Sequence, residues 1–294
     1  MPGEPSPSAA SLPFRRIVVA VDASESAKHA LAWGRALATH PDTQVWILHA
    51  AASPSLIMQT GGGLAGPVPV ADLVRYEEER GRLLLEEARR EFGDIPGHVE
   101  TVLREGPPTM VLADFVREVR ADFAIVGSEG RGPLGRLLLG SVADAARHRI
   151  DTDLLVARTD PPLDRIVAAV DDSPLSAQAA LHALEFGRAF GVPVDLLHVL
   201  PAAYRGIPEE ERRALTETLR DVQPALADPS VSLTVDFGDA AEVIVAHAEA
   251  RGCDLIAMGC RGRSALGELV LGSVSREVSH RAHVSVLIAK EPAH

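Results

Sequence analysis

The chain has 294 residues, a formal net charge of −12 at pH 7 and a hydrophobic fraction of 46%. That apolar fraction is enough for packed cores, whereas broad binding to DNA, RNA or anionic lipid requires a basic surface, which an acidic chain does not offer. The sequence contains no run of about eighteen apolar residues, so it predicts no membrane-spanning helix.

The first residues of the chain and its cysteine content predict the cellular compartment of the protein. Residues 1–13 are rich in proline and serine, and we expect a disordered tail without the basic start and apolar core of a signal peptide. Cys253 and Cys260 are the only cysteines. So few cysteines in a chain of this length indicate free thiols in a reducing compartment, and we therefore expect a cytoplasmic protein.

The sequence is an internal duplication. Residues 16–24 (RIVVAVDAS) recur as 165–173 (RIVAAVDDS), and other landmarks recur in the same order. A polar segment with two adjacent prolines, at 159–162, separates the copies. We therefore predict two domains, 14–159 and 160–294.

The predicted elements of the first copy alternate between strand and helix. Apolar runs of strand length lie at 17–21, 45–49, 99–103, 124–126 and 154–157. Helical spacing of apolar residues extends over about 24–39, 71–91, 108–119 and 141–148. Ser24 is the predicted cap of the first helix, and Ser173 followed by Pro174 is its counterpart. This alternation predicts, in each half, a doubly wound α/β domain with a five-stranded parallel sheet.

Both copies contain a glycine-rich loop between the fourth strand and the next helix. Its spacing is glycine, two residues, glycine, nine residues and Gly-Ser. The candidate binding residues are Gly127, Ser128, Gly130, Arg131, Gly132, Gly140, Ser141 and Val142 in one loop, and Gly259, Cys260, Arg261, Gly262, Arg263, Gly272, Ser273 and Val274 in the other.

These loops have two interpretations. Glycine permits a positive φ and a close ligand approach, while the N–H groups of a helix start and guanidinium groups suit phosphate. Alternatively, the glycines only turn the chain, the arginines are solvated, and each Gly-Ser pair only caps a helix. Asp144 would complete such a capping box with Ser141.

A carboxylate ends the first strand of each copy. Asp22 and Asp171 hold this position, and Ala20 and Ala169 precede them by two residues. Ligands of parallel α/β sheets bind beyond the carboxyl ends of the strands, so the aspartates and the glycine loops should share one edge. Each carboxylate could accept ribose hydroxyls or help to hold Mg²⁺, or it could only satisfy loop amides. The small alanines could let a ring lie against the strand.

The copies differ at two places near this edge. Glu129 stands where the second copy has Arg261, and a carboxylate there would repel phosphate, so the second loop suits a nucleotide better. The first copy also has an insertion around 53–70, which we interpret as an ordinary loop, with a flap as the alternative.

Other catalytic patterns are missing from the sequence. It has no Walker loop, no Gly-x-Ser-x-Gly elbow and no glycine-rich dinucleotide turn after the first strand, and its 11 histidines lack zinc-ligand spacing. No evident general base or nucleophile accompanies the loops, so rapid turnover is not predicted.

On these loops and strand ends the chain resembles the universal stress protein family in its tandem, two-domain form. The loop spacing is similar to that of ATP-binding members. The resemblance implies a strand order of 3-2-1-4-5 in each half. It also implies a pseudo-dimer in which the last strands, 154–157 and 284–289, pair with each other.

The resemblance further implies a nucleotide site in each half, with ATP, AMP or ADP as the ligand. Ala50 and Val199 would meet adenine through their backbone. Asp22 and Asp171 would lie near adenine and ribose, and the glycine loops would hold ribose and phosphates.

Three hypotheses follow. The first is a stress-response regulator that binds ATP at one site per half, with weak hydrolysis at most. The second is a nucleotide-free interaction module of the same fold. The third, a nucleotide hydrolase or transferase, requires a base or lysine near the phosphates, which the sequence does not offer. The protein partner, and whether the chain forms a homodimer, stay open.

Overall fold

The computed structural model describes residues 12–52, 70–128, 141–228, 231–260 and 272–290. The strands of the first half are β1 (Arg16–Ala20), β2 (Gln44–Ala51), β3 (His98–Glu105), β4 (Phe123–Gly127) and β5 (Asp153–Ala157). Its helices are α1 (Ser26–Leu37), α2 (Val70–Phe92), α3 (Pro108–Glu118) and α4 (Ser141–Arg149).

The second half repeats this order. Its strands are β6 (Ile166–Ala169), β7 (Val194–Leu200), β8 (Ser232–Phe237), β9 (Leu255–Gly259) and β10 (Ser285–Ala289). Its helices are α5 (Pro174–Phe190), α6 (Glu209–Val222), α7 (Ala240–Arg251) and α8 (Ser273–Arg281), with short 3-10 turns at Ala202–Tyr204 and Pro224–Ala227. No described helix is long and apolar enough to cross a membrane.

The strands form one continuous 10-stranded sheet in the order β3-β2-β1-β4-β5-β10-β9-β6-β7-β8. Within each half every pair is parallel, and the order is 3-2-1-4-5 when strands are counted within the half. The halves join through β5 and β10, which are antiparallel, with Leu155 opposite Leu287. The predicted fold class and the predicted pairing of the last strands are therefore confirmed.

The two halves share a hydrophobic core on one face of the sheet. Trp33 of α1 and Phe186 of α5 are both fully buried, and their ring centroids lie 6.0 Å apart. Phe14, before β1, packs against Phe123 of β4 at 4.2 Å and against Phe186 at 6.1 Å. Since both faces of the central strands are covered, all residues of β5 and β10 are buried, which explains the apolar runs that follow the first residue of each strand.

Equivalent cations cross the junction between the halves. Lys290, directly after β10, donates from Nζ to the backbone carbonyls of Ala146 at 3.3 Å and Ile150 at 2.5 Å, at the end of α4. Arg158, directly after β5, donates to the carbonyl of Ser279 in α8 at 2.6 Å. A cation at a helix C-terminus pairs with otherwise unsatisfied carbonyls, so each half completes the last helix of the other.

The last strand of each half begins with a polar residue, but the two residues differ: one is a neutral serine and the other an aspartate. Ser285 begins β10, and its hydroxyl accepts hydrogen bonds from Trp33 Nε1 at 3.2 Å and from the Arg158 backbone N–H at 3.1 Å. Asp153 begins β5, and its carboxylate accepts from the Lys290 backbone N–H at 2.8 Å. The side of the junction near Ser285 is therefore held by a neutral group, and the other side by a buried carboxylate.

His182 of α5 is the main side-chain partner of that carboxylate. Its Nε2 lies 2.8 Å from Asp153 Oδ2, and its Nδ1 lies 3.1 Å from Glu185 Oε2. Burial lowers the pKa of His182, but the hydrogen bonds and charges of the two carboxylates outweigh burial and raise the pKa to about 9. At neutral pH the junction therefore contains a buried ion pair.

The structure confirms one predicted helix cap. Ser173 caps α5 by accepting the Ser176 N–H at 3.2 Å, with Pro174 at the first helical position. In the first half Glu25 already has helical φ and ψ and makes no side-chain cap, so Ser24 holds the position before the first helical residue, as Ser173 does in α5. The Ser24 backbone carbonyl accepts the Ala27 N–H at 3.3 Å, and the side-chain cap stays a prediction.

Candidate functional site

Each half has a cleft at the carboxyl edge of its sheet, where the helices begin. The predicted site residues in the lining of the first cleft are Ala20, Asp22, Ala50, Gly127 and Val142. Those in the lining of the second cleft are Ala169, Asp171, Val199, Gly259, Gly272, Ser273 and Val274. The structure therefore brings together the predicted residues of the first strand, the second strand and the glycine loop in both halves.

Other predicted residues lie outside the described part of the chain. They are Gly130, Arg131, Gly132, Gly140, Arg261, Gly262 and Arg263. Glu129 and positions 53–69 of the insertion also lie outside it. The capping box at Ser141 falls there as well, since only the backbone of Ser141, the first residue of α4, is described.

The residue after each strand-ending glycine is fixed by the last strand of its own half. Ser128 donates its backbone N–H to the Ala157 carbonyl at 3.0 Å, and Cys260 does the same to Ala289 at 2.9 Å. The Cys260 carbonyl accepts the Gly272 N–H at 2.9 Å, so the two ends of the second loop meet. Gly272 is the residue before α8, and Ser273 makes no cap there, so capping does not explain this Gly-Ser pair.

Asp22 and Asp171 have the same environment. Oδ1 of Asp171 accepts the backbone N–H of Ser173 at 2.9 Å and its hydroxyl at 2.6 Å. Oδ1 of Asp22 accepts the same two groups of Ser24, with the N–H at 3.0 Å. Oδ2 of each aspartate has no hydrogen-bond partner among the described residues. One oxygen therefore orders the loop, and the other can accept further hydrogen bonds.

Gly127 and Gly259 have a packing role that the sequence interpretation did not include. Neither has the positive φ that was one of the two uses expected of glycine, and the other, a close ligand approach, stays a prediction. A Cβ at Gly127 would lie 2.8 Å from the backbone carbonyl oxygen of Ser26, and one at Gly259 would lie 3.0 Å from the backbone nitrogen of Ser176. The expectation is therefore corrected: these glycines let the first turns of α1 and α5 approach the end of the fourth strand.

Replacing Gly127 by alanine is expected to lower the free energy of unfolding by about 1–3 kcal/mol, because Ser26 backbone atoms cannot move aside without shifting α1. Urea unfolding measures this loss. Gly206→Ala is the matched control, since a Cβ at Gly206 meets nothing within 4 Å. Equal stability of the two variants would contradict the packing role of Gly127.

The sequence interpretation missed two histidines. His49 of β2 places Nδ1 2.8 Å from the backbone carbonyl oxygen of Val21, and His198 of β7 does so 2.7 Å from that of Val170. Each carbonyl belongs to the residue directly before the cleft aspartate. The recurrence of histidine at the same position of both copies was the available signal.

The described groups in the clefts offer little charge. Asp22 and Asp171 are joined by neither lysine nor arginine among the described lining residues. No group of three or more His, Cys, Asp or Glu among the described residues is placed to hold a metal ion. Both cysteines are free and buried, as expected, and burial raises the pKa of Cys253 to about 12.

The fold and the duplicated cleft define a class of protein, a tandem α/β chain with a cleft at the carboxyl edge of each half. The model of the universal stress protein family matches residues 13–158 and 162–290. The chain belongs to the universal stress protein family and contains two of its domains in tandem.

One relative of similar length and one shorter relative match the chain. A universal stress protein of Mycolicibacterium smegmatis is 28% identical over 293 residues, which are 93% of this chain and 96% of the relative. One from Methanocaldococcus jannaschii is 31% identical over 140 residues, which are 44% of this chain and 82% of the relative. The crystal structure of a universal stress protein from Archaeoglobus fulgidus superposes with a TM-score of 0.71 at 20% identity, covering 95% of this chain and 99% of that one.

Proposed function

We propose that the chain is a cytoplasmic stress-response regulator that binds one adenine nucleotide, ATP or its products ADP and AMP, in each half. The single observation that carries the proposal is the repetition of one cleft. In both halves the same edge of the sheet brings together four features: a small residue of the first strand, the aspartate after it, the backbone at the end of the second strand and the glycine that ends the fourth. The proposed domain limits are 14–159 and 160–294.

The proposed pose follows the chemistry of the cleft. The apolar lining around Ala20 and Ala169 receives the base, and the backbone of Ala50 and Val199 bonds its polar edge. Oδ2 of the cleft aspartate accepts a ribose hydroxyl. The phosphates then extend toward the glycine loop and the first N–H groups of α4 and α8, where an anion is stabilised.

Weak or absent hydrolysis is part of the same proposal. Among the described lining residues, Mg²⁺ in either cleft would have one carboxylate, Asp22 or Asp171, and would complete its coordination with phosphate oxygens and water, which suits Mg²⁺ bound with a nucleotide. The described lining adds no lysine or arginine that would stabilise a transferring phosphoryl group.

A nucleotide-free interaction module is the second candidate, and the packing of the glycines favours it. Gly127 and Gly259 are needed for close packing of α1 and α5 whether or not a ligand binds. In this alternative, the two glycines maintain the fold, and the function of the fold is to bind another protein.

Mass spectrometry of the purified and then denatured protein distinguishes the two candidates. We expect co-purified adenine nucleotide, and a rise in melting temperature with added ATP, since a ligand at about a hundred times its Kd stabilises by about 2.7 kcal/mol. Absence of nucleotide together with an unchanged melting temperature would leave the interaction module as the function.

A further inference from the structure

His49 and His198 make the same hydrogen bond in the two halves. A carbonyl oxygen only accepts hydrogen bonds, so Nδ1 of each ring carries the proton that is donated to Val21 or Val170. Each bond spans 28 residues of sequence and joins the end of the second strand to the end of the first. His49 also lines the first cleft.

This bond replaces a rung of the β1–β2 ladder. Val21 still donates its N–H to the Leu48 carbonyl at 2.9 Å, so the next parallel rung would run from the Ala50 N–H to the Val21 carbonyl. The His49 ring occupies that carbonyl, and no such rung forms among the described residues.

The backbone of Ala50 faces the end of β1 at the cleft, where no described residue bonds it. Ala51 accepts the Gly106 N–H at 3.0 Å, so Ala51 points toward β3, and its neighbour Ala50 points the other way, toward the end of β1. The second half repeats this: Leu200 accepts the Gly238 N–H at 2.9 Å, which turns Val199 toward the end of β6.

A glycine in α2 makes room for the ring of His49. Gly81 lies inside this helix, where glycine costs about 1 kcal/mol relative to alanine. A Cβ there would lie 3.1 Å from His49 Cδ2 and 2.7 Å from Leu103 Cδ1. Gly81 therefore serves the packing of β2 and β3 side chains, and His49 is one of them.

We propose that His49 and His198 are positioning residues. By binding the carbonyl that would close the ladder, each keeps the N–H of Ala50 or Val199 free as a donor for the base, beside the C=O of the same residue as an acceptor. Adenine presents a complementary acceptor nitrogen and amino group. This inference rests on the proposed nucleotide function. It adds the backbone groups that would recognise the base of the nucleotide and the histidines that position them.

The test is calorimetric titration of the full chain with ATP and with AMP, in wild type and in His49→Leu. Leucine frees the Val21 carbonyl for the Ala50 N–H, so the affinity of one of the two sites should fall about tenfold for both nucleotides, the equivalent of one hydrogen bond. The ratio of ATP to AMP affinity should stay unchanged, because the phosphates bind elsewhere. The second site should keep its affinity.

His49→Asn provides the control, because its amide nitrogen can take the place of Nδ1 and should restore the wild-type affinity. A merely structural histidine would lower the melting temperature of His49→Leu and leave its ATP affinity within about twofold of wild type, which would overturn the inference alone. Loss of affinity in His49→Leu without rescue by asparagine would also overturn it. A wild-type chain that binds neither nucleotide would overturn the proposed function and this inference together.

Discussion

Raising the pH from about 6 to about 10 is expected to remove about 3 kcal/mol of unfolding free energy through His182. The pKa of His182 rises from 6.5 to about 9 in the folded chain. The folded state therefore binds this proton more tightly than the unfolded state does. Its stabilising contribution is complete below pH 6.5 and is lost as the pH rises through 9.

The structural cause of this loss is the carboxylate pair around the ring. Asp153 Oδ2 lies 2.8 Å from Nε2, and only 14% of the His182 side chain is exposed. Deprotonation leaves Asp153 buried with hydrogen bonds from the Lys290 backbone N–H and from Gln178, but without a cationic side-chain partner among the described residues. Since Asp153 lies on β5 and His182 on α5, the loss falls on the junction between the halves.

Urea unfolding at several pH values measures the effect, and His182→Gln is the matched control. Glutamine keeps a donor for Asp153 but does not titrate, so its unfolding free energy should fall less than that of wild type over this range. Other titrating groups are common to both proteins and cancel in the difference. Parallel pH profiles for the two proteins would contradict the ion pair.

Replacing Gly262 by aspartate is expected to abolish nucleotide binding in the second half, with a loss of at least about a hundredfold in affinity. Gly262 lies outside the described residues, so this prediction rests on the loop spacing and on the position of Cys260 and Gly272, which join the ends of that loop. A carboxylate at about 4 Å from a phosphate charge adds repulsion of about 4 kcal/mol at an intermediate dielectric constant.

Calorimetry with ATP measures this variant by its stoichiometry, which should fall from two sites to one. Gly130→Asp is the reciprocal variant and should remove the first site instead. Ala246→Asp, on the exposed side of α7, controls for the added charge and should leave both sites intact. Full stoichiometry in Gly262→Asp would show that the phosphates do not reach this loop.

The sheet could be predicted from the sequence because the patterns that specify its strands are local and occur in both copies. Apolar runs such as 17–21 and 154–157 mark strands that are covered on both faces. Strands that alternate with helices leave few topologies, and the resemblance selected the order that the structure shows. The meeting of Asp22 and Gly127 in one cleft followed from the rule that ligands bind at the carboxyl edge, and Ala50 was added by the resemblance.

The polar contacts of the junction could not be predicted, because they join residues far apart in sequence whose side chains meet only after the halves pack. Asp153 and Lys290 are separated by 137 positions. Comparison of the two copies does not reveal the His182–Asp153 contact either. The residue that corresponds to His182 in the first copy is Trp33, which has different chemistry.

The role of the glycines was misjudged because glycine has two uses that sequence does not separate. Gly127 follows a strand and precedes a loop, which favours a positive φ in a sequence interpretation. The structure shows that the absent side chain makes space for Ser26 instead. The histidines that end the ladders were missed because a histidine on a buried strand is usually a satisfied core residue.

The most direct test of the account is isothermal titration of the nucleotide-stripped full chain with ATP and Mg²⁺. Two binding sites per chain, with slow or no release of phosphate, are the predicted result. Absence of binding at millimolar ATP, in a protein whose far-ultraviolet circular dichroism shows it to be folded, would contradict the nucleotide function.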